Sequence, residues 1–194
     1  MKTRYILAFL LPLTVAISSA AKDTAMPFLS ISPDPVSMAM GGTSAKGAFS
    51  HFGSLAETGL NGGSLAAGIS YGYFQPTVSA SDVVSIGVAY GIDDRFGITF
   101  GVLGNIGEKY PVTGEYGESL GDFRPSDFRI GAGFTWRIVD KFSAGISLNY
   151  AQSSHSPKMD GLRDVSRTGF ADIQFRYQPL EWLGARLSGK TLGI

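Results

Sequence analysis

The chain has 194 residues, no Cys, two His, and 16 basic against 16 acidic residues. The lack of Cys excludes disulfides, thiolate zinc sites, iron–sulfur clusters and a cysteine nucleophile, and zero net charge argues against nucleic acid as a partner. With 44% hydrophobic residues, 26 Gly and only 16% charged residues, the chain is a folding sequence but a glycine-rich and charge-poor one, against usual shares of about 7% Gly and ~25% charged.

Lys2 and Arg4 precede an apolar run from Tyr5 to Ile17, and Ser18-Ser19-Ala20-Ala21 supplies small residues for cleavage. This layout predicts a cleaved secretory signal peptide over residues 1–20. The run is short for a membrane helix, and no stop-transfer charge cluster follows it. Removing it takes two of the 16 basic residues and no acid, leaving a net charge of −2. No later hydrophobic segment suits a membrane helix, so a membrane form of this chain has to be a β-barrel.

Residues 21–66 lack alternation and are rich in small residues, among them Gly41, Gly42, Ser44, Gly47, Gly53, Gly59, Gly62 and Gly63. A short helix is predicted near Pro35, with Asp34 in the capping position, and another over His51 to Glu57. From residue 67 onward, period-two alternation predicts seven strands. Their large residues are Ala67-Ile69-Tyr71-Tyr73, Val84-Ile86-Val88-Tyr90, Phe96-Ile98-Phe100-Val102, Phe128-Ile130-Ala132-Phe134-Trp136, Phe142-Ala144-Ile146-Leu148-Tyr150, Ala171-Ile173-Phe175-Tyr177 and Leu183-Ala185-Leu187. The residues between them are mostly Gly, Ser and Thr, with Arg129, Arg137, Asp172, Arg176 and Arg186 in the later strands. Short turns at Ile92–Arg95, Val139–Lys141 and Pro179–Trp182 alternate with longer loops at Gln75–Asp82, Asn105–Asp127 and Gln152–Arg167. Short on one side and long on the other is the outer-membrane arrangement.

Two orientations fit this alternation: large residues inward, as in a soluble periplasmic β-protein, or outward to lipid. Aromatic placement favours lipid. Tyr90, Phe96, Trp136, Phe142, Tyr177 and Trp182 fall at the short-turn ends, and Tyr73, Phe74, Phe128, Tyr150 and Phe170 at the long-loop ends, as two interfacial girdles would. The small face also lacks the Lys and Glu that a water-exposed sheet face carries. The expected fold is therefore all-β, an antiparallel up-and-down transmembrane β-barrel of residues 67–194, with residues 21–66 as a plug-like segment filling the glycine-lined interior. Seven strands would leave the chain ends on opposite sides. The count is thus expected to be about eight, with one strand hidden in residues 43–66 or missing after Ile194.

Phe28-Leu29-Ser30-Ile31-Ser32-Pro33-Asp34 followed by Met38-Ala39-Met40-Gly41-Gly42 resembles the start of PorV/PorQ-type outer-membrane proteins. Gly121-Asp122-Phe123-Arg124-Pro125-Ser126-Asp127-Phe128, leading to Trp136-Arg137, resembles a loop-to-strand signature of the same family, as does Asp140-Lys141-Phe142-Ser143-Ala144-Gly145. That family is related to FadL-type fatty-acid channels, which carry an N-terminal hatch. In Bacteroidetes it serves the type IX secretion system, holding or shuttling secreted proteins that bear a C-terminal sorting domain. The resemblance implies an outer-membrane location and an accessory role in protein secretion, with membrane lipid, secretion-system proteins or sorting-domain substrates as partners. A FadL-like conduit for hydrophobic small molecules is the alternative. A divergent or truncated paralogue without activity is another, because the chain is shorter than typical members and carries Ser50-His51-Phe52-Gly53 where they have an Asn-Pro-Ala element.

Candidate chemistry is sparse and predicts no enzyme, metal or cofactor. His51 has no carboxylate motif beside it and is expected to play a local polar role; His155, between two serines, is expected to be solvated. Asp93-Asp94 is incomplete for calcium and fits turn chemistry. Glu115, Glu118 and Asp122 give one loop acidic character. Gly41-Gly42 lacks the Lys-Ser/Thr of a phosphate loop, and no Gly-x-Ser-x-Gly elbow accompanies an acid and a His. Arg129, Asp172, Arg176 and Arg186 are lumen candidates, forming either a selectivity ring or internal pairs.

Overall fold

The computed structural model describes residues 26–41, 47–58, 62–75, 80–114, 116–154, 165–180 and 183–193. The expected signal peptide, Glu115, His155 and Trp182 lie outside these residues, and no side chain is described at Leu180, at Leu183 or Gly184, or from Gly189 onward.

Among the described residues nine strands are present: β1 (Leu65–Phe74), β2 (Ser81–Gly91), β3 (Phe96–Gly107), β4 (Tyr110–Thr113), β5 (Ser119–Phe123), β6 (Ser126–Val139), β7 (Phe142–Ser154), β8 (Val165–Leu180) and β9 (Leu183–Gly193). Seven of them form one antiparallel sheet in the order β1-β2-β3-β6-β7-β8-β9, which is curled into a half-barrel and does not close. Among the described residues the large sheet has seven strands, where about eight were expected. Among the described residues of the 43–66 segment, strand begins only at Leu65; residues 47–57 form helical turns instead. Six antiparallel pairings separate β1 from β9, so the two edge strands run in the same direction.

The alternation has a physical outcome that can be followed strand by strand. In β2 the residues Val83, Ser85, Gly87, Ala89 and Gly91 are buried while Val84, Ile86 and Tyr90 are exposed; in β7 Ser143, Gly145, Ser147, Asn149 and Ala151 are buried while Ile146, Leu148 and Tyr150 are exposed. The sheet thus covers its small and polar face and leaves its large apolar face bare, with Ile69 at 76% and Leu148 at 68% exposure. Period two holds this phase from β1 to β8 because each register pairs large with large, as in Ile98 with Phe134 and Phe134 with Ile146.

Residues 26–41 and 47–58 cover the small face. Pro27–Ser30 and Gly47–Phe49 form 3₁₀ turns, Pro35–Ala39 forms α1, Ser50–Gly53 forms α2 and Leu55–Glu57 a third 3₁₀ turn. Asp34 caps α1, its carboxylate accepting from the Ser37 N–H at 3.4 Å and from the Ser37 hydroxyl. The single helix expected over His51 to Glu57 is broken at Ser54, which lies outside the helical region at φ −124°. The Gly47–Phe49 turn packs on β1 and β2, α2 on β2, β3 and β6, and the Leu55–Glu57 turn on β6, β7 and β8. A dozen residues can reach six strands only from inside the curl, so the covered face is the concave one. A small apolar core joins Met26, Phe28 and Phe52 to Leu103, Ala151 and Phe170 of the wall.

Two further expectations are corrected. The predicted loop Asn105–Asp127 is largely ordered as the hairpin β4–β5, because Tyr110 and Phe123 pair across it with ring centroids 5.6 Å apart and Gly117, at φ +82°, supplies the left-handed turn position. Phe170 does not belong to an outward girdle: it is 5% exposed and shares the concave phase of Asp172 and Gln174.

Candidate functional site

The concave wall and the segment seated on it meet through polar groups. His51, on α2, lies 3.1 Å from the Thr99 hydroxyl through Nδ1 and 3.0 Å from Asn149 Oδ1 through Nε2. Asn149 Oδ1 also takes the Arg129 Nε and Nη2 protons at 3.2 and 3.1 Å. That atom is therefore an acceptor, so His51 Nε2 donates to it and Nδ1 accepts from Thr99. The imidazole is held neutral. Burial pushes its pKa down to about 4 and the nearby Arg129 charge adds to that, against the opposing pull of the Asn149 hydrogen bond and of Asp172.

Arg129 is the centre of the cluster. Its guanidinium lies 3.1 Å from Asp172 Oδ2 and stacks between the rings of Phe52 and Phe170, 5.3 and 5.1 Å from their centroids. Asp172 Oδ2 also accepts from Asn149 Nδ2 at 3.2 Å. A buried ion pair of this kind is tolerated because each charged group finds further hydrogen bonds or a π-face.

A second set of contacts ties down the backbone of the segment. Thr135 and Ser143 donate to the carbonyls of Leu55 and Ala56, each at 2.6 Å, and Gln174 Nε2 and Arg186 Nη1 donate to the Gly53 carbonyl at 3.3 and 3.1 Å. Glu57 pairs with Arg186 and lies 3.8 Å from Arg176 Nε. The lumen candidates thus divide: Arg129 and Asp172 meet one another, whereas Arg176 and Arg186 meet Glu57 of the N-terminal segment. The glycines make this approach possible. A Cβ at Gly101 would stand 2.6 Å from His51 Cδ2, and one at Gly133 2.6 Å from Leu55 Cδ1.

The outward aromatics Tyr90, Trp136 and Tyr177 are exposed and Phe96 and Phe142 half-buried, with Phe96 stacked on Phe134 and Phe142 on Phe175. Asp93 closes its turn by accepting from the N–H groups of Arg95 and Phe96 at 2.7 and 2.6 Å, and Asp94 accepts from Gly62 N at 3.2 Å. Glu118 accepts from the Tyr116 N–H at the hairpin tip. Among the described residues no group of three or more His, Asp or Glu could hold a metal, and no helix is long and apolar enough to cross a membrane, which says nothing about strands.

Thr99, Asn149 and Gln174 were not singled out from the sequence, although their phase with Gly101, Ser147 and Asp172 could have marked them as wall residues. Glu57 carried no signal, because its segment has no period. At the long-loop end a cavity of about 710 Å³ opens between the N-terminal segment and the loops, lined by Phe28, Ile31, Phe74, Glu108, Tyr110 and Asp127 among others. No family model, no curated protein and no solved structure matches the chain.

Proposed function

We propose that this chain is an outer-membrane protein that faces lipid with its large side chains, holds its N-terminal segment as a plug, and acts as a PorV/PorQ-like accessory of type IX protein secretion. The observation that carries the membrane reading is the polarity of the curled sheet. Water would be left in contact with exposed Ile, Leu, Phe, Tyr and Trp side chains on strand after strand, the kind of apolar surface that soluble monomers rarely expose, while Ser, Asn, Asp and Arg are buried on the other face. In lipid the same arrangement is favourable. The sheet strands, 10 to 16 residues long, meet the ~9–11 residues that a tilted transmembrane strand needs.

The secretion role rests on the resemblance of the Phe28–Gly42 and Gly121–Phe128 motifs. The second of these spans the end of β5 and the start of β6 at the long-loop rim, where a secreted partner would dock. A second reading, a conduit for hydrophobic small molecules, is favoured by the cavity at that same rim.

The test is gel mobility of the unboiled protein from outer-membrane fractions, followed by co-purification with a sorting-domain protein. The expected result is a folded species that shifts only on boiling and retains the sorting domain. A soluble protein without a shift overturns the membrane reading. A shift without sorting-domain capture, but with a hydrophobic molecule recovered, replaces the secretion role by the conduit.

A further inference from the structure

At the long-loop rim the outward face ends in a row of three residues set side by side by strand pairing: Tyr73 of β1, Asp82 of β2 and Ile106 of β3. Asp82 shares the phase of Val84 and Ile86, so its carboxylate stands on the large apolar face, where it accepts from the Tyr71 hydroxyl at 2.6 Å. A second cavity, of about 300 Å³, opens beside this row and is lined by Tyr73, Asp82, Ile106, Glu108, Lys109 and Arg124 among others. Its charged lining residues are two acids and two bases, so the described lining is neutral in sum. The loop residues 75–79, Gln-Pro-Thr-Val-Ser, bring no charge to it. Glu108 and Lys109 are exposed. Arg124 donates from Nε to the Gly107 carbonyl at 3.0 Å and holds Nη2 3.7 Å from Asp82, which leaves its Nη1 protons for a ligand. Two residues below the row, Gly104 stands on the outward phase between Val84 and Phe128. A Cβ there would meet only the Val84 carbonyl, at 4.0 Å, so the apolar face carries a notch under the charged cavity.

We infer that this rim binds one lipid whose headgroup joins a phosphate to a primary ammonium, a phosphoethanolamine. The phosphate lies against Lys109 and Arg124, the ammonium against Asp82 and Glu108, and an acyl chain runs along the notch at Gly104. The inference rests on the outer-membrane reading and adds a headgroup to it. Charge of both signs within one cavity selects a zwitterion: an anionic headgroup without an amine gains the two cations but brings its negative charge against the two carboxylates. A choline headgroup has no N–H to give those carboxylates and is recognised by aromatic cages, whereas Tyr73 is the one aromatic among the described lining residues. The position fits as well, since Tyr73 stands at the level where interfacial aromatics meet headgroups.

The test is native mass spectrometry of the folded protein, released from nonionic detergent micelles that hold equal amounts of palmitoyl-oleoyl phosphatidylethanolamine, phosphatidylcholine and phosphatidylglycerol, with gel mobility run on the same preparation. The protein is expected to retain one phosphatidylethanolamine per chain, about fivefold or more over either competitor. Glu108→Gln, at an exposed position, is expected to keep the heat shift and to move the ethanolamine-to-glycerol ratio about fivefold towards phosphatidylglycerol. Gly104→Leu, which fills the notch, is expected to keep the heat shift and to lower retention of the lipid about fivefold. Equal retention of the three lipids, preference for either competitor, no retained lipid, an unaltered ratio in E108Q or unaltered retention in G104L overturns the proposal. Any of these in a heat-shifted protein removes the lipid site alone, whereas a soluble protein without a shift removes the membrane reading and the site with it.

Discussion

His51 is the residue on which the fit between segment and wall can be read most directly. It is 2% exposed, and the groups facing it are Thr99 from β3, Arg129 from β6, Asn149 from β7 and Asp172 from β8. Its folded pKa of about 4 lies below the ordinary 6.5, so the folded state binds the proton less well than the unfolded chain. The stability contributed by neutral His51 is then complete above pH 6.5, falls as pH drops from 6.5 towards 4, and levels off below 4; the span corresponds to about 3 kcal/mol. Denaturant midpoints measured from pH 7.5 to 4 are expected to fall accordingly, and His51→Gln to flatten that slope while lowering the midpoint at pH 7.5. An unchanged slope in H51Q would show that His51 is not the titrating group. The role of His51 could be expected from the sequence only in kind: one His without a carboxylate motif reads as local and polar, but its partners lie 48 and 98 residues away and depend on how far the sheet curls.

Among the elements, the strands were legible and the N-terminal segment was not. Strand existence and phase follow from side-chain size at every second residue, a local property that the pairing register preserves. Residues 26–58 have no period. The capping pair Asp34 and Pro35 announced one helix and a second was expected over His51 to Glu57, but the break of that second helix at Ser54 comes from carbonyls turned towards Thr135, Ser143, Gln174 and Arg186, contacts made 80 or more residues away. The hairpin β4–β5 was likewise hidden, since four- and five-residue strands are too short for alternation to stand out. Glycines in the wall give the segment its seat. Gly101→Leu would drive a side chain into His51 and Phe52, and overpacking of this kind costs about 1–3 kcal/mol or more. Gly72, with nothing within 4 Å of an added Cβ, is the control. Limited proteolysis of the folded protein is expected to cut within residues 47–58 in G101L and to spare that stretch in the parent and in Gly72→Leu. Equal protection of all three would show that the wall does not need its glycine.

At the scale of the whole molecule, the polarity of the half-barrel links sequence to environment. An open sheet of seven strands has two edges of unpaired backbone groups, and a bilayer offers no water to satisfy them. Both edges must therefore be paired in a membrane. Because β1 and β9 run in the same direction, direct closure of one on the other would make a parallel seam. Strand parity raised this difficulty from the sequence alone, by counting seven alternating runs. The curl, by contrast, depends on twist and on the packed segment, neither of which is written in any single strand.

The measurement that bears most directly on the proposal that the large face meets lipid uses the absence of Cys. Single cysteines at Ser143, Gly145, Ser147 and Asn149, and at Ala144, Ile146, Leu148 and Tyr150, are spin-labelled in the protein reconstituted into phosphatidylcholine vesicles. Collision with oxygen, which partitions into lipid, is then compared with collision with a water-soluble nickel chelate. The outward phase is buried in the hydrocarbon if the account holds: Ile146→Cys and Leu148→Cys report high oxygen and low nickel accessibility, alternating with low values for both reagents at Gly145, Ser147 and Asn149. High nickel accessibility at positions 146 and 148, or loss of the period-two pattern, would contradict it.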